Sequence, residues 1–430
     1  MIWLLRGIGF LSVFLLASAF VFPYSSLTTS GEAKKTQQIS VPARPMEVVC
    51  PGSLYQLGGE DGTEVDSIDA LGDADFYLIE NGVPTPYRAS EPALFTAVEE
   101  GQSSAVLSGY QWQRIQQARI AGLVSLSCKK PTTEAWMLGG KTNLGSESLL
   151  IIHNPDVLST ILDLKFFDGE EQFSDSTSLA PGETKVINLA RYVSTDEAVG
   201  LNIKSQGGRF AAWVQSKTNS GVSPTGVDIE AHNNLQKNPS MIFTAQSDEL
   251  PREDRTPTLN VLSPEPISST VSISSLQGGF GDAFRVDLEA GVSSIELPSL
   301  EPGSYRITLE AEAALLSART NNPLIPDFFV NQSEDPISGE IQMVAVIDGT
   351  IEIAAVEDSV ASLRITRAGD TELALIGEVS PQKMLTAEVS QGDVLEIKGD
   401  ALFVRVKNDA TAYVPADNSN IGSDLELVVR

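Results

Sequence analysis

Two histidines, His153 and His232, are the only imidazoles in a chain of 430 residues, so any Ser-His-Asp hydrolase built from it would draw its base from one of them. Neither has the company such a base needs, because no serine stands in a G-x-S-x-G elbow on a strand-to-helix turn. His153 closes the run "SLLIIH" beside Asn154-Pro155, and His232 lies in the polar run "EAHNNLQKN"; both read as solvated turn or linker residues. Carboxylates are too numerous to discriminate, since with 57 acidic residues a glycosidase-like pair can be drawn almost anywhere. The densest group, Asp61, Asp66, Asp69, Asp73 and Asp75 in "GGEDGTEVDSIDALGDADFY", is a candidate calcium loop. It lacks the D-x-D-x-D-G spacing with a distal Glu and reads as a solvated acidic loop. "QGGFGD" at 277–282 lacks the third glycine of a dinucleotide fingerprint and reads as a turn. "NQS" at 331–333 matches a glycosylation acceptor, a pattern short enough to arise by chance. No catalytic residue, cofactor or metal site is expected.

Two further pairs carry chemistry. Cys50 and Cys128 are the chain's two cysteines. A metal site would need more thiols or imidazoles nearby and a catalytic thiol a histidine partner, so an even count in an exported chain points to one disulfide. Closing a loop of nearly 80 residues, it would be worth about 4 kcal/mol on the loop-entropy account. Trp136 and Trp213 are candidate aromatic platforms for a sugar, although tryptophans in β-sandwiches more commonly serve the core.

Export is read from the N-terminus. "MIWLLRGIGFLSVFLLASAFVF" supplies Arg6, an apolar run from Ile8 to Phe22 and the small residues Ala17-Ser18-Ala19, the three parts of a secretory signal. Stretched back to Ile2 with Arg6 snorkelling, the same segment reaches the ~20 residues of a membrane span. Apolar residues continue past the Ala-Ser-Ala, so an uncleaved anchor with everything else outside is the preferred reading; cleavage would make the protein secreted. Residues 1–24 are thus a transmembrane or signal helix, and 25–45, rich in Ser, Thr, Gly, Lys and Pro, a flexible tether. The net charge of -28 excludes nucleic acid as a partner, since no cluster of Lys and Arg offers phosphates a surface. The expected partners are the membrane, through the N-terminal helix, and an envelope protein or glycan.

The elements that would position these residues are strands. "ILDLKFF" alternates Leu162, Leu164 and Phe166 with Asp163 and Lys165, the period of a half-buried strand, and "SLLIIH" before it is a short apolar run joined to it by the Asn-Pro turn. "VGLNIKSQGGRFAAWVQSK" has the pattern of a β-hairpin. The same order returns in "LNVLSPEPISSTVSISSL" with "LPSLEPGSYRITLEAEAALLSARTNN", and again in "GTIEIAAVEDSVASLRITRAGDTELALIGEV" closing with the hairpin "VLEIKGDALFVRVK". "YQWQRIQQARIAGL", 110–123, has helical propensity but occupies the place of a repeat's last hairpin, and is read as strand, turn, strand. The fold class expected is all-β, a tandem of immunoglobulin-like β-sandwiches at 46–131, 132–235, 236–335 and 336–430.

"VVCPG" at 48–52, "SLSCKKPTTEAWMLGG" at 125–140, "LLIIHNPD" at 149–156 and "GRFAAWVQS" with "PTGVD" at 208–228 resemble an uncharacterised family of secreted or membrane-anchored proteins of high-GC Gram-positive bacteria, a domain of unknown function. The resemblance covers about 45–235 and implies an envelope location and this architecture, not an activity. The expected function is a non-enzymatic extracytoplasmic envelope protein, a sandwich scaffold or interaction protein whose loops are free for contact. The alternative is an array of carbohydrate-binding modules for cell-wall glycan.

Overall fold

The computed structural model describes residues 37–41, 46–58, 67–80, 82–97, 107–169, 171–245, 257–279, 281–322, 325–367, 371–416 and 425–429. Every regular element among them is a β-strand except one 3-10 turn, Leu189–Arg191. No helix among the described residues is long and apolar enough to cross a membrane; the expected N-terminal helix at 1–24 lies outside them.

β1 (Gln37–Val41) opens the described chain. The first set is β2 (Met46–Cys50), β3 (Tyr55–Leu57), β4 (Ile68–Ala70), β5 (Ala74–Glu80), β6 (Val83–Ala89), β7 (Ala93–Ala97), β8 (Leu107–Gln116) and β9 (Ala121–Ser127), arranged as a sheet β6-β5-β8-β9 with the pairs β2-β7 and β3-β4. The segment 110–123 is thus strand, turn, strand, as its place in the repeat implied. Cys50 at the end of β2 is disulfide-bonded to Cys128 just beyond β9, with Cα atoms 4.4 Å apart.

The second set is β10 (Glu134–Gly139), β11 (Ser146–His153), β12 (Thr160–Asp168), β13 (Glu171–Leu179), β14 (Thr184–Asn188), β15 (Val199–Gln206), β16 (Ala211–Ser220) and β17 (Ser223–Ala231). Its two antiparallel sheets, β10-β15-β12-β13 and β14-β11-β16-β17, enclose one core: Leu162, Leu164 and Phe166 of β12 meet Leu150, Ile152 and Val214 from the opposite sheet. Ile161 and Lys165 of β12 face outward, as the alternation requires.

The third set is β18 (Ser240–Ala245), β19 (Thr258–Ser263), β20 (Ile267–Ser275), β21 (Gly281–Leu288), β22 (Gly291–Glu296), β23 (Gly303–Leu309), β24 (Leu315–Asn321) and β25 (Phe328–Gln332), in sheets β18-β23-β20-β21 and β22-β19-β24-β25. Counted within each set, both sandwiches run 1-6-3-4 and 5-2-7-8. The faint sequence repeat is therefore a repeat of topology.

The fourth set is β26 (Ile337–Val344), β27 (Gly349–Ala355), β28 (Ser359–Arg367), β29 (Thr371–Val379), β30 (Leu385–Val389), β31 (Val394–Lys407) and β32 (Ala412–Tyr413). It reaches the same order with one strand fewer. The first half of β31 pairs with β26 and β28, and its second half with β27 and β32, the change of sheet falling near Ala401, whose φ is 50°. β33 (Leu425–Val429) pairs antiparallel with β1, Gln37 opposite Val429. Part of the expected tether is accordingly a strand.

Two connections differ from expectation. β15 and β16 belong to different sheets, so "VGLNIKSQGGRFAAWVQSK" crosses the sandwich instead of forming a hairpin. "VLEIKGDALFVRVK" is one strand, not two. β11 and β12 likewise lie in opposite sheets, and the Asn-Pro turn between them is an arch. Asn154 organises it from a fully buried position: Nδ2 donates to the carbonyls of Leu158 (2.8 Å) and Ala180 (3.0 Å), and Oδ1 accepts the Asp156 N–H at 3.0 Å.

The sandwiches are not beads on a string. In β11 every residue from Ser148 to His153 is buried: Leu150 and Ile152 face their own core, while Leu149 and Ile151 join Val49, Leu54 and Val124 of the first set. A strand covered on both faces loses its alternation, which is why "SLLIIH" is continuously apolar. Second and third sets share Leu138, Phe167, Leu262 and Leu315; third and fourth share Ile242, Leu276, Ala354 and Phe403. Fourth and first share a core that includes Ile79, Tyr110 and Leu123 beside Met343 and Tyr413. Four seams close the array on itself.

Candidate functional site

The last strand of each set lines the inside of this closure: β9 packs on β17, β17 on β25, β25 on β32, and β32 on β9. Where they converge lies a cavity of about 80 Å³ whose walls include Ser125, Asp228, Glu230, Asn331, Arg405 and Tyr413. Beside it is a cleft of about 600 Å³ bordered by the segments that join one sandwich to the next.

The ionisable groups at this axis act across the seams. Asp327 Oδ2 accepts the Leu123 N–H at 2.9 Å, while Oδ1 accepts those of Phe328 (3.0 Å) and Val227 (3.4 Å). Burial lifts its carboxyl to about 6, with these N–H donors opposing. Gly122 and Gly226 make room for it, since a Cβ on either would lie within 3 Å of Asp327 atoms. Asp228 Oδ2 accepts the Val330 N–H at 2.7 Å. Burial raises the Asp228 and Glu230 carboxyls, and the Asp228 carboxylate adds to the rise of Glu230. Arg319 stands over the Phe328 ring at 3.6 Å, held down to about 10 by burial against the pull of Asp228, Asp327 and Glu230. Between third and fourth sets, buried Arg405 binds Glu352 (2.7 Å), the Ile242 carbonyl (2.8 Å) and Asn331 Oδ1 (2.8 Å). Burial works against the Glu352 carboxylate, but Arg405, Lys407 and Ser304 outweigh it and hold its pKa low.

The candidates read from the sequence fall elsewhere. His153 is buried, not solvated; its Nδ1 lies 3.0 Å from Thr184 Oγ1, and burial lowers its pKa. His232 is buried too, with Nδ1 3.1 Å from the Ala212 carbonyl and Nε2 3.2 Å from that of Lys130, and burial holds it down to about 4. Both were misread because polar neighbours suggested solvent, whereas those neighbours sit in arches and seams. Among the described residues, no ring nitrogen of either histidine is hydrogen-bonded to a serine or a carboxylate. Trp213 is fully buried between first and second sets, leaving no face for a sugar. Trp136 is half-buried, stacked on Phe167 with ring centroids 5.9 Å apart, and its Nε1 donates to Glu134 at 3.2 Å. Of the acidic loop, Asp61 and Asp66 lie outside the described residues, Asp75 pairs with Arg88 at 2.7 Å, and no described residues group as a metal site. Asn331 of the glycosylation pattern is buried with Nδ2 committed to the Ala318 carbonyl (3.0 Å) and Thr320 Oγ1 (2.9 Å). Gln277, Gly278 and Gly279 of "QGGFGD" lie in the turn between β20 and β21.

The axial charges escaped the sequence reading. Their signal was there in part: Asp228 and Glu230 interrupt "GVDIEA", and Arg405 interrupts "LFVRVK", each a charge within an otherwise apolar strand.

No curated protein matches the chain. One solved structure, a "tetra-tandem repeat in extending region of large adhesion protein", aligns over 81% of this chain and 92% of that one at 9% identity, but its TM-score of 0.11 carries no argument about fold or role. A family model does match, over residues 84–384, from β6 into the fourth sandwich and well past the stretch whose motifs suggested a resemblance. The chain belongs to that family, a family of unknown function (DUF5719).

Proposed function

We propose that the protein is a non-enzymatic, extracytoplasmic component of the cell envelope, in which immunoglobulin-like sandwiches are locked into one rigid block that offers its outer loops and edges to other envelope proteins. The observation that carries this reading is the use made of the buried ionisable groups. Asp327, Asp228 and Arg405 each bind a backbone group or side chain of a neighbouring sandwich, so they serve assembly instead of awaiting a substrate. The Cys50–Cys128 disulfide and the signal-like N-terminus support an oxidising location outside the membrane, whether anchored or secreted. The glycan-binding alternative is weakened by the burial of Trp213 and the stacking of Trp136.

The experiment is protease shaving and crosslinking on intact cells, followed by recovery of the chain and its neighbours. The expected result is digestion from outside, crosslinks to envelope proteins and no retention on isolated wall polysaccharide. Protection from protease with both cysteines reduced would end the reading, as would hydrolysis abolished by a single carboxylate substitution.

A further inference from the structure

The segments that border the axial cleft are sorted by charge. The one between β9 and β10 brings Lys129 and Lys130, the one between β17 and β18 brings His232, Asn233 and Asn234, and the one between β25 and β26 brings Glu334 and Asp335. Lys129 and Glu334 line both the cleft of about 600 Å³ and the inner cavity of about 80 Å³, so they stand where the two spaces adjoin. Their backbones are committed: Lys129 exchanges N–H···O bonds of 2.8 and 3.0 Å with Val49, and the Glu334 N–H donates to Ser240 at 3.0 Å. Among the described residues their side-chain charges have no hydrogen-bond or ion-pair partner. Yet they sense each other, for Lys129 draws the Glu334 carboxyl downward.

A lysine and a carboxyl that interact across a space without touching suit a molecule bearing both complements. A simple anion would pair Lys129 alone and oppose ionisation of the Glu334 carboxyl, a simple cation would meet Lys129, and a neutral sugar would desolvate both without pairing either. We propose that the axial cleft binds a small zwitterion, a free amino acid or a short peptide, with its carboxylate on Lys129 and its ammonium on Glu334. This goes beyond the scaffold role and does not depend on where the protein resides.

One consequence separates this from adventitious binding. Burial raises Glu334 to about 8, with Asp335 adding to the rise and Lys129 and Arg405 opposing it; His232 also borders the cleft but is held neutral. An arriving ammonium favours the carboxylate, so binding at neutral pH expels a proton.

The test is titration calorimetry of the full chain with L-alanine and with L-alanyl-L-alanine, in phosphate and in Tris, whose ionisation heats differ. Saturable binding of one or both is expected, with a heat that depends on the buffer in the sense of proton release; the preferred probe distinguishes amino acid from peptide. Lys129→Ala and Glu334→Gln should each weaken binding about tenfold or more while thermal unfolding stays cooperative. Should a variant fail to fold, N-acetyl-L-alanine and L-alaninamide, each lacking one charge, must bind the unaltered protein about tenfold more weakly. Absence of saturable heat from both zwitterions, binding of the blocked compounds as tight as theirs, or undiminished binding by either folded variant overturns the proposal.

Discussion

Asp327 accepts a hydrogen bond from the backbone of Leu123, 204 residues earlier in the chain, at 2.9 Å. With the bond to Val227, one carboxyl group fastens the third sandwich to the first and second where no strand pairing joins them. Asp327→Ala leaves buried N–H donors without an acceptor and should cost about 2–4 kcal/mol. Asp327→Asn keeps an acceptor oxygen and should cost distinctly less. Urea unfolding of the two variants checks this, and equal losses would show that the acceptor is not what matters.

The raised carboxyls give stability a pH dependence. Asp327 sits at about 6 and Glu334 at about 8, with Asp228 and Glu230 also raised. Above the ordinary carboxylate range and below these values, the folded chain holds protons that the unfolded chain has shed, so the unfolding free energy falls as pH rises through that window. The two histidines act in the other direction. His232, at about 4, and His153, also lowered, refuse protons that the unfolded state takes up below 6.5. Four carboxyls that hold protons outnumber two histidines that refuse them, so stability should already fall from about pH 5 and decline on toward pH 8, where the histidines no longer oppose the loss. Thermal melts across pH 5–9 test this, and Glu334→Gln should flatten the alkaline limb; a Tm that climbs from pH 6.5 to 8 would contradict it.

Reducing the Cys50–Cys128 disulfide opens a loop with a sequence separation of 78. The expected loss is about 4 kcal/mol, read as a lower Tm in reductant and reproduced by Cys50→Ser with Cys128→Ser. An unchanged Tm in the double variant would refute the estimate.

Closure makes the sandwiches interdependent. A fragment spanning 132–235 would bare Leu149, Ile151, Ala211 and Trp213, all buried against the first set, and should self-associate. A fragment spanning 45–420 should instead remain monomeric, with a radius of gyration of about 21 Å by compact-chain scaling. Small-angle scattering decides, because an extended row of four sandwiches would give about twice that radius.

What could be read from the sequence was the half-buried strand. Leu162, Leu164 and Phe166 declared their face through alternation, and the recurrence of strand, proline turn and strand recovered a real repeat. Connections were harder, because a Gly-Gly turn between two apolar strands fits a hairpin and a sandwich-crossing arch equally well; only the pairing partners of β15 and β16 separate the two. The seams left one overlooked clue in "SLLIIH", too apolar for a strand with a wet face. The axial site was least legible, since Asp228, Asp327 and Arg405 come from distant segments and meet only once the array closes.

That closure sets a timetable for biogenesis. Tyr110, whose hydroxyl accepts the Ala416 N–H across 306 residues, must wait for the last sandwich to be made. At ribosomal speeds of ~5–20 residues per second this delay is roughly 15–60 s, during which the nascent chain carries an apolar flank with nothing to cover it. A holding factor, or delivery of the chain while still extended, would protect the newborn protein through that interval.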